Sequence, residues 1–385
     1  MRNFLAKKVV EIKPSGIRKF FDLASEMEDV ISLGVGEPDF DTPWHIREEG
    51  IYALEQGKTI YTSNAGLLDL RKEICEYQKR KNNISYDYKK ECLVTVGGSE
   101  AIDLAFRAMI EEGDEVIIPE PSYVSYAPCA TLAGAKTVII ELKEENEFKL
   151  TKEQLLKAIT PKSKILILPF PNNPTGSIMT KEDLEEIRDV IIEHDLFIVS
   201  DEIYSELTYL GNHVSIASLP DMKERTIVIN GFSKSYSMTG WRLGYAVGPS
   251  DVIGQMIKIH QFAIMCAPTN SQYAAIEALK NGDKDVMMMR DAYDQRRRYL
   301  VNRLRAMGLD CFTPYGAFYV FPSIKKFNMS SEEFARRLLM EERVVVVPGN
   351  AFGESGEGFL RISYAYSLDS LKVALDKIEN FIKKI

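Results

Sequence analysis

The chain has 385 residues, 45% of them apolar and 27% charged, enough to bury the cores of two or three domains and unlike a disordered, collagenous or coiled-coil composition. Its 56 acidic residues outnumber 48 basic ones, a net charge of −8, which argues against a nucleic-acid surface as the main partner. No run reaches the ~18 apolar residues of a membrane span, and the opening MRNFLAKKVVEIK lacks the apolar stretch of a secretory leader; a cytoplasmic protein is expected, with no membrane partner. The five cysteines (Cys75, Cys92, Cys129, Cys266, Cys311) form no C-x-x-C pair and read as reduced thiols. The four histidines show no ligand spacing, so no metal site is expected.

In chain order, the first 44 residues carry one weak strand signal, DVISLGVG, and are expected to form an arm that packs on a C-terminal domain. From about 91 to 250, short apolar runs alternate with helical patterns: CLVTV, EVIIP, KTVIIEL, KILILPF, LFIVS, TIVIN and LGYAVG. Most lack alternation, as strands covered on both faces do, so the expectation is an α/β fold with a mainly parallel seven-stranded sheet. The intervening helices are amphipathic, with Ile102, Ala105, Phe106 and Met109 recurring at i, i+3, i+4, i+7. After about 284 a charged helical stretch precedes short strand-like pieces (GAFYVFP, RVVVVP, GFLRISY) and a last helix with Leu371, Ala374, Leu375 and Ile378 on one face. This predicts an arm over 1–44, a large domain over 45–283 and a smaller α+β domain over 284–385.

Open parallel sheets bind ligands outside the carboxyl ends of their strands. Gly97-Gly98-Ser99-Glu100 follows the first run and opens a helix, a place for an anion such as phosphate. Later runs are followed by Pro121-Ser122-Tyr123, by Pro171-Asn172-Asn173-Pro174, by Asp201-Glu202 with Tyr204, and by Ser233-Lys234 with Arg242 eight residues on. Each alone has a bland explanation: a turn, a packed tyrosine, a helix cap, a surface lysine. Their joint placement at one rim does not. Neither a P-loop nor a full G-x-G-x-x-G is present, since Gly34-Val35-Gly36 lacks the third glycine and meets Pro38 where a helix should start.

A phosphate cradle, an aromatic plate, an acid and a lysine together suit pyridoxal 5′-phosphate held as a Schiff base. The stretch GFSKSYSMTGWRLG resembles the lysine signature of class I/II pyridoxal-phosphate aminotransferases, enzymes of fold type I. SDEIY, PNNPTG, VGEPDF, YTSNAG and FLRISY fall in the order and at about the spacing of that family, and the resemblance is nearest to its aspartate/aromatic group and to N-acetyl-LL-diaminopimelate aminotransferases. It implies that Lys234 holds the cofactor and moves the proton between the donor's Cα and the cofactor. Asp201 would pair with the pyridine nitrogen, Asn173 and Tyr204 would bond the ring's 3′ oxygen, and Tyr123 would stack on the ring. Gly98, Ser99, Ser233 and Arg242 would hold the phosphate, with Glu100 contributing its backbone N–H. Arg361, with Asn173, would bind the substrate carboxylate, and Gly36 would let the chain approach it. Tyr61 resembles the tyrosine that reaches the neighbouring subunit's phosphate, which implies a homodimer.

The implied activity is ping-pong transfer of an amino group from an L-amino acid to a 2-oxo acid, 2-oxoglutarate being the usual acceptor of the family. Two alternatives use the same cofactor: a cystathionine β-lyase, and a non-catalytic cofactor-binding regulator. No extra cation for a side-chain carboxylate can be placed from sequence. Arg18 is a candidate, and aspartate, aromatic amino acids and N-acetyl-LL-diaminopimelate all stand as donors.

Overall fold

A computed structural model describes residues 2, 4–14, 16 and 27–385. Arg18 lies outside the described residues. The strands are β1 (Ile31–Ser32), β2 (Cys92–Thr95), β3 (Glu115–Glu120), β4 (Lys136–Glu141), β5 (Ser163–Leu168), β6 (Phe197–Asp201), β7 (Thr226–Gly231), β8 (Gly244–Val247), β9 (Tyr319–Val320), β10 (Val344–Val345), β11 (Val347–Pro348) and β12 (Leu360–Ser363). The seven apolar runs become one seven-stranded sheet in the order β2-β8-β7-β6-β5-β3-β4. β8 is antiparallel to both its neighbours, and the remaining pairings are parallel.

Successive residues of a strand face opposite sides of the sheet, and both sides are apolar here. Val94, Val228 and Val247 pack with Ile74 and Leu279, from the helices Leu68–Asn82 and Thr269–Asn281. Leu93, Ile227 and Ala246 pack with Phe106 and Ile253, from the helices Gly97–Met109 and Ser250–Ala263. Each fully buried large side chain stabilises by ~1.5–3 kcal/mol, which is why these runs need no alternation. The exception is β4. It is one of the sheet's two edges, and Lys136, Ile139 and Glu141 are exposed along it.

The C-terminal third is built on a three-stranded antiparallel sheet, β11-β12-β9, and on the helices Asp283–Ala306, Ser331–Glu342 and Leu368–Ile382. Leu371, Ala374, Leu375 and Ile378 all face its core, against Phe334 and Leu338. β1 pairs in parallel with β10, and the Leu33 carbonyl accepts from the Ser363 N–H at 2.8 Å, so the segment before residue 44 is tied to this third of the chain. Tyr204 and Leu207, from the loop after β6, are buried in the same core. Polar loops of the large sheet therefore meet β9 and β12 face to face. Among the described residues, no helix is long and apolar enough to cross a membrane.

Candidate active site

Where the two parts meet, a cavity of about 420 Å³ opens at the carboxyl ends of the parallel strands. Lys234 enters it three residues past β7, just after the fully buried Phe232. The Lys234 ammonium donates to the Gly36 carbonyl at 2.5 Å and sits 5.8 Å and 5.7 Å from the ring centres of Tyr204 and Phe318. Burial first, then the guanidinium of Arg361 and more weakly that of Arg242, bring its pKa down to about 8, against the opposing pull of Glu37 and Asp201. A lysine so placed is a usable base near neutral pH.

Asp201 ends β6 and is buried beneath the cavity. Burial raises its pKa, while the Tyr126 hydroxyl, donating at 2.7 Å, and the Ile203 N–H, donating at 3.2 Å, favour the carboxylate. Asn173 sits in the turn after β5. Its neighbour Asn172 is the structural member of the pair: its Oδ1 accepts from the Thr175 hydroxyl at 2.9 Å and from the Thr175 N–H at 3.2 Å. That leaves Asn173 free to face the cavity, where its Oδ1 accepts from Arg361 at 2.9 Å.

Arg361, on β12, is 4% exposed. It donates to Asn173 and, at 2.5 Å, to the Gly34 carbonyl, and its guanidinium lies 4.6 Å and 4.7 Å from the ring centres of Tyr319 and Phe352. Among the described residues no carboxylate pairs with it, and its Nε has no partner. A buried cation with no counter-ion is costly unless the site is shaped for an anionic ligand. A Cβ at Gly36 would run into the Tyr319 hydroxyl, so glycine is required beside this arginine.

The opposite wall is the start of the helix Gly97–Met109, whose free N–H groups and dipole favour an anion. Gly97 has φ +76, and a Cβ there would lie 2.9 Å from the Arg242 guanidinium. Gly98, Ser99, Ser233 and Arg242 converge at this end, and Tyr123 lines the cavity with its hydroxyl 3.3 Å from the Ser99 Oγ. Pyridoxal 5′-phosphate fits this donor set: an anion cradle, an aromatic face, a buried acid and a lysine of lowered pKa.

Gly36, Gly98, Ser99, Tyr123, Asn173, Asp201, Tyr204, Ser233, Lys234, Arg242 and Arg361 are thus brought to one cavity, while Glu100, expected to offer only its backbone N–H, and Tyr61, expected to reach a neighbouring subunit, do not line it. Glu100 turns its carboxylate away. One oxygen accepts from the Val96 N–H at 2.5 Å and the other bonds His260 Nδ1 at 2.8 Å. Tyr61 is 76% exposed and outside the cavity of its own chain. Tyr126, Tyr319 and His260 were not anticipated. Tyr126 had a faint signal, a second tyrosine three residues after Tyr123, and Tyr319 stood within the strand-like GAFYVFP.

Residues 28–378 match the family model for aminotransferase class I and II. The aspartate aminotransferase of Pyrococcus abyssi (strain GE5 / Orsay) is 49% identical over 376 residues, covering 97% of each chain. The aromatic-amino-acid aminotransferase 2 of Thermococcus litoralis is 47% identical over 383 residues, covering 99% of this chain and 98% of that one. The crystal structure of the aromatic aminotransferase from Pyrococcus horikoshii OT3 is similar with a TM-score of 0.91 at 47% identity, covering 96% of this chain and 99% of that one. With the fold, cavity and motifs in agreement, the chain belongs to the class I and II aminotransferases and is a pyridoxal-phosphate-dependent enzyme that transfers an amino group from an amino acid to a 2-oxo acid.

Proposed function

We propose that Lys234 holds the cofactor and that both half-reactions use this one cavity in turn, a ping-pong mechanism with 2-oxoglutarate as acceptor. The observation that carries this reading is Arg361, a buried guanidinium without a carboxylate partner among the described residues, facing a lysine whose pKa is lowered to about 8. One carboxylate-reading arginine beside one lysine suits a donor and an acceptor that share an α-carboxylate and bind alternately. The bound cofactor supplies an electron sink conjugated to the donor's α-carbon.

The chain's own residues do the rest. Arg361 would grip the α-carboxylate through its fork, and Asn173, whose Oδ1 accepts from Arg361, would offer its Nδ2 to the ring's 3′ oxygen. Tyr204 would donate to the same oxygen, Asp201 would keep a proton on the ring nitrogen, and Tyr123 would cover the ring face. Gly98, Ser99, Ser233 and Arg242 would hold the phosphate, with the backbone N–H of Glu100. Lys234, as a neutral amine, would take the proton from the donor's Cα and return it on the cofactor side. Among the described residues that line the cavity, the basic groups are Lys234, Arg242 and Arg361, so a cation for the second carboxylate of 2-oxoglutarate would have to come from outside these three.

We further propose a homodimer in which Tyr61 completes the partner subunit's phosphate site. Ile60, Tyr61, Phe262, Ile264 and Met265 are exposed, and their loops are joined by bonds from Asn64 to the Met265 carbonyl and from Thr269 to the Ile60 carbonyl. A contiguous apolar patch of this kind is characteristic of an interface. Division into an arm (1–44), a large domain (45–283) and a small domain (284–385) is supported by a core made mostly of residues 289–381, which Leu33, Tyr204 and Leu207 join from outside. A reducing cytoplasm suits the five free cysteines.

The test is an absorbance screen of the holoenzyme against the twenty amino acids and N-acetyl-LL-diaminopimelate. A true donor bleaches the lysine-bound chromophore, and 2-oxoglutarate restores it. Pyruvate and ammonia released from cystathionine without an acceptor would overturn the transfer reading in favour of a lyase. Unchanged transamination in Lys234→Ala would remove Lys234 from its role.

A further inference from the structure

Tyr319 is 1% exposed, and it touches both halves of the site. Its hydroxyl lies 2.7 Å from that of Tyr204, and its ring lies under the Arg361 guanidinium. The fold fixes this double contact. β9 and β12 are antiparallel with Tyr319 opposite Ser363, so Arg361, two residues from Ser363, projects from the same face as a diagonal neighbour. Tyr204 arrives from the other part of the chain, on the loop after β6.

A phenol has one proton. If Tyr204 gives its proton to an anionic ring oxygen, its own oxygen can only accept, and the Tyr319 hydroxyl is the buried donor at hand. Burial favours the protonated form of both phenols, so each keeps its proton. In a medium of low dielectric, successive hydrogen bonds strengthen one another. The charged and titratable groups around the pair are Arg361, Lys234, Asp201, Tyr123 and Tyr366.

We propose that Tyr319 is a positioning residue that links the two subsites: its hydroxyl donates to Tyr204 and sharpens Tyr204 as a donor to the cofactor's ring oxygen, while its ring seats Arg361 for the substrate carboxylate. The proposal rests on the role given above to Tyr204. It makes one side chain of the C-terminal third answerable for the charge balance of the cofactor and for the grip on the donor.

The test titrates the visible absorbance of the substrate-free holoenzyme against pH in wild type, Tyr204→Phe, Tyr319→Phe and Tyr319→Leu, with donor dissociation constants measured alongside. Tyr204→Phe raises the chromophore's midpoint by about one pH unit or more, and Tyr319→Phe raises it by about half a unit, the worth of one neutral hydrogen bond. Tyr319→Phe keeps the ring and leaves donor affinity within about twofold, whereas Tyr319→Leu also weakens it about tenfold. A midpoint that moves in Tyr204→Phe but stays put in Tyr319→Phe overturns the hydroxyl link. Unchanged donor affinity in Tyr319→Leu overturns the seating of Arg361. If neither Tyr204→Phe nor Tyr319→Phe moves the midpoint, the Tyr204 role itself is wrong and the link falls with it.

Discussion

The lowered pKa of Lys234 makes a quantitative prediction for the protein stripped of its cofactor. With a pKa of about 8 rather than the ordinary 10.5, roughly one amine in ten is neutral at pH 7, against about one in three thousand for an ordinary lysine. Only the neutral amine is a nucleophile, so at pH 7 Lys234 gains about three-hundred-fold in reactive fraction. The perturbation is Arg361→Leu, which removes the leading charge that disfavours the ammonium and leaves burial in place. The assay is competitive acetylation with a trace of acetic anhydride between pH 6 and 11, read by mass spectrometry of the Lys234 peptide against the other lysines. The wild-type rate rises about tenfold per pH unit and levels off near pH 8, and in Arg361→Leu the plateau moves to higher pH. A wild-type rate still climbing past pH 10, or a plateau that falls in the variant, would refute the electrostatic reasoning.

Three further outcomes are expected. Arg361→Lys keeps the charge but loses the fork, so the donor KM rises about 10- to 100-fold while cofactor affinity changes little; an unchanged KM counts against its carboxylate role. His260→Leu leaves one oxygen of the Glu100 carboxylate without its side-chain partner close to the phosphate cradle and weakens cofactor binding about tenfold by fluorescence titration, and His260→Asn, which restores a donor, recovers most of the loss. Glu120, beside Gly353, has its carboxyl pushed up to about 7 by burial and then by Glu354, so the folded state holds a proton that the unfolded chain releases near 4.5. Stability is therefore lost as pH rises from about 4.5 to 7. Glu120→Gln gains about 1–2 kcal/mol at pH 8, below the full value of the shift because the group is part-exposed, and no gain remains at pH 4. Equal urea midpoints for the two proteins at pH 8 would contradict this.

Much of this molecule was legible because its chemistry is local in sequence. Six of the seven sheet runs pack on both faces, so unbroken apolar stretches marked them, and the polar residues that follow them had to lie at one rim. β4 departs from that pattern: Lys136, Ile139 and Glu141 are exposed on this edge strand, whereas β2, at the other edge, is buried throughout, a difference in cover that no run of residues declares. Long-range partners were invisible for a related reason. Glu100 meets His260 across 160 residues and Tyr204 meets Tyr319 across 115, and nothing in either local pattern names the other. Glu100 shows the gain most clearly: an acid beside an anion site reads as an anomaly until its carboxylate is found closing the turn at Val96 and bonded to His260. β1 was faint because it is two residues long and depends on β10 for its register.

The account rests on Lys234 as the residue that holds the cofactor, and covalent trapping tests it most directly. The holoenzyme is reduced with borohydride, digested and sequenced by mass spectrometry. The prediction is one phosphopyridoxyl group per chain, on Lys234, lost when a donor amino acid is added before reduction. A label on another lysine, or one on Lys234 that no donor displaces, would contradict it.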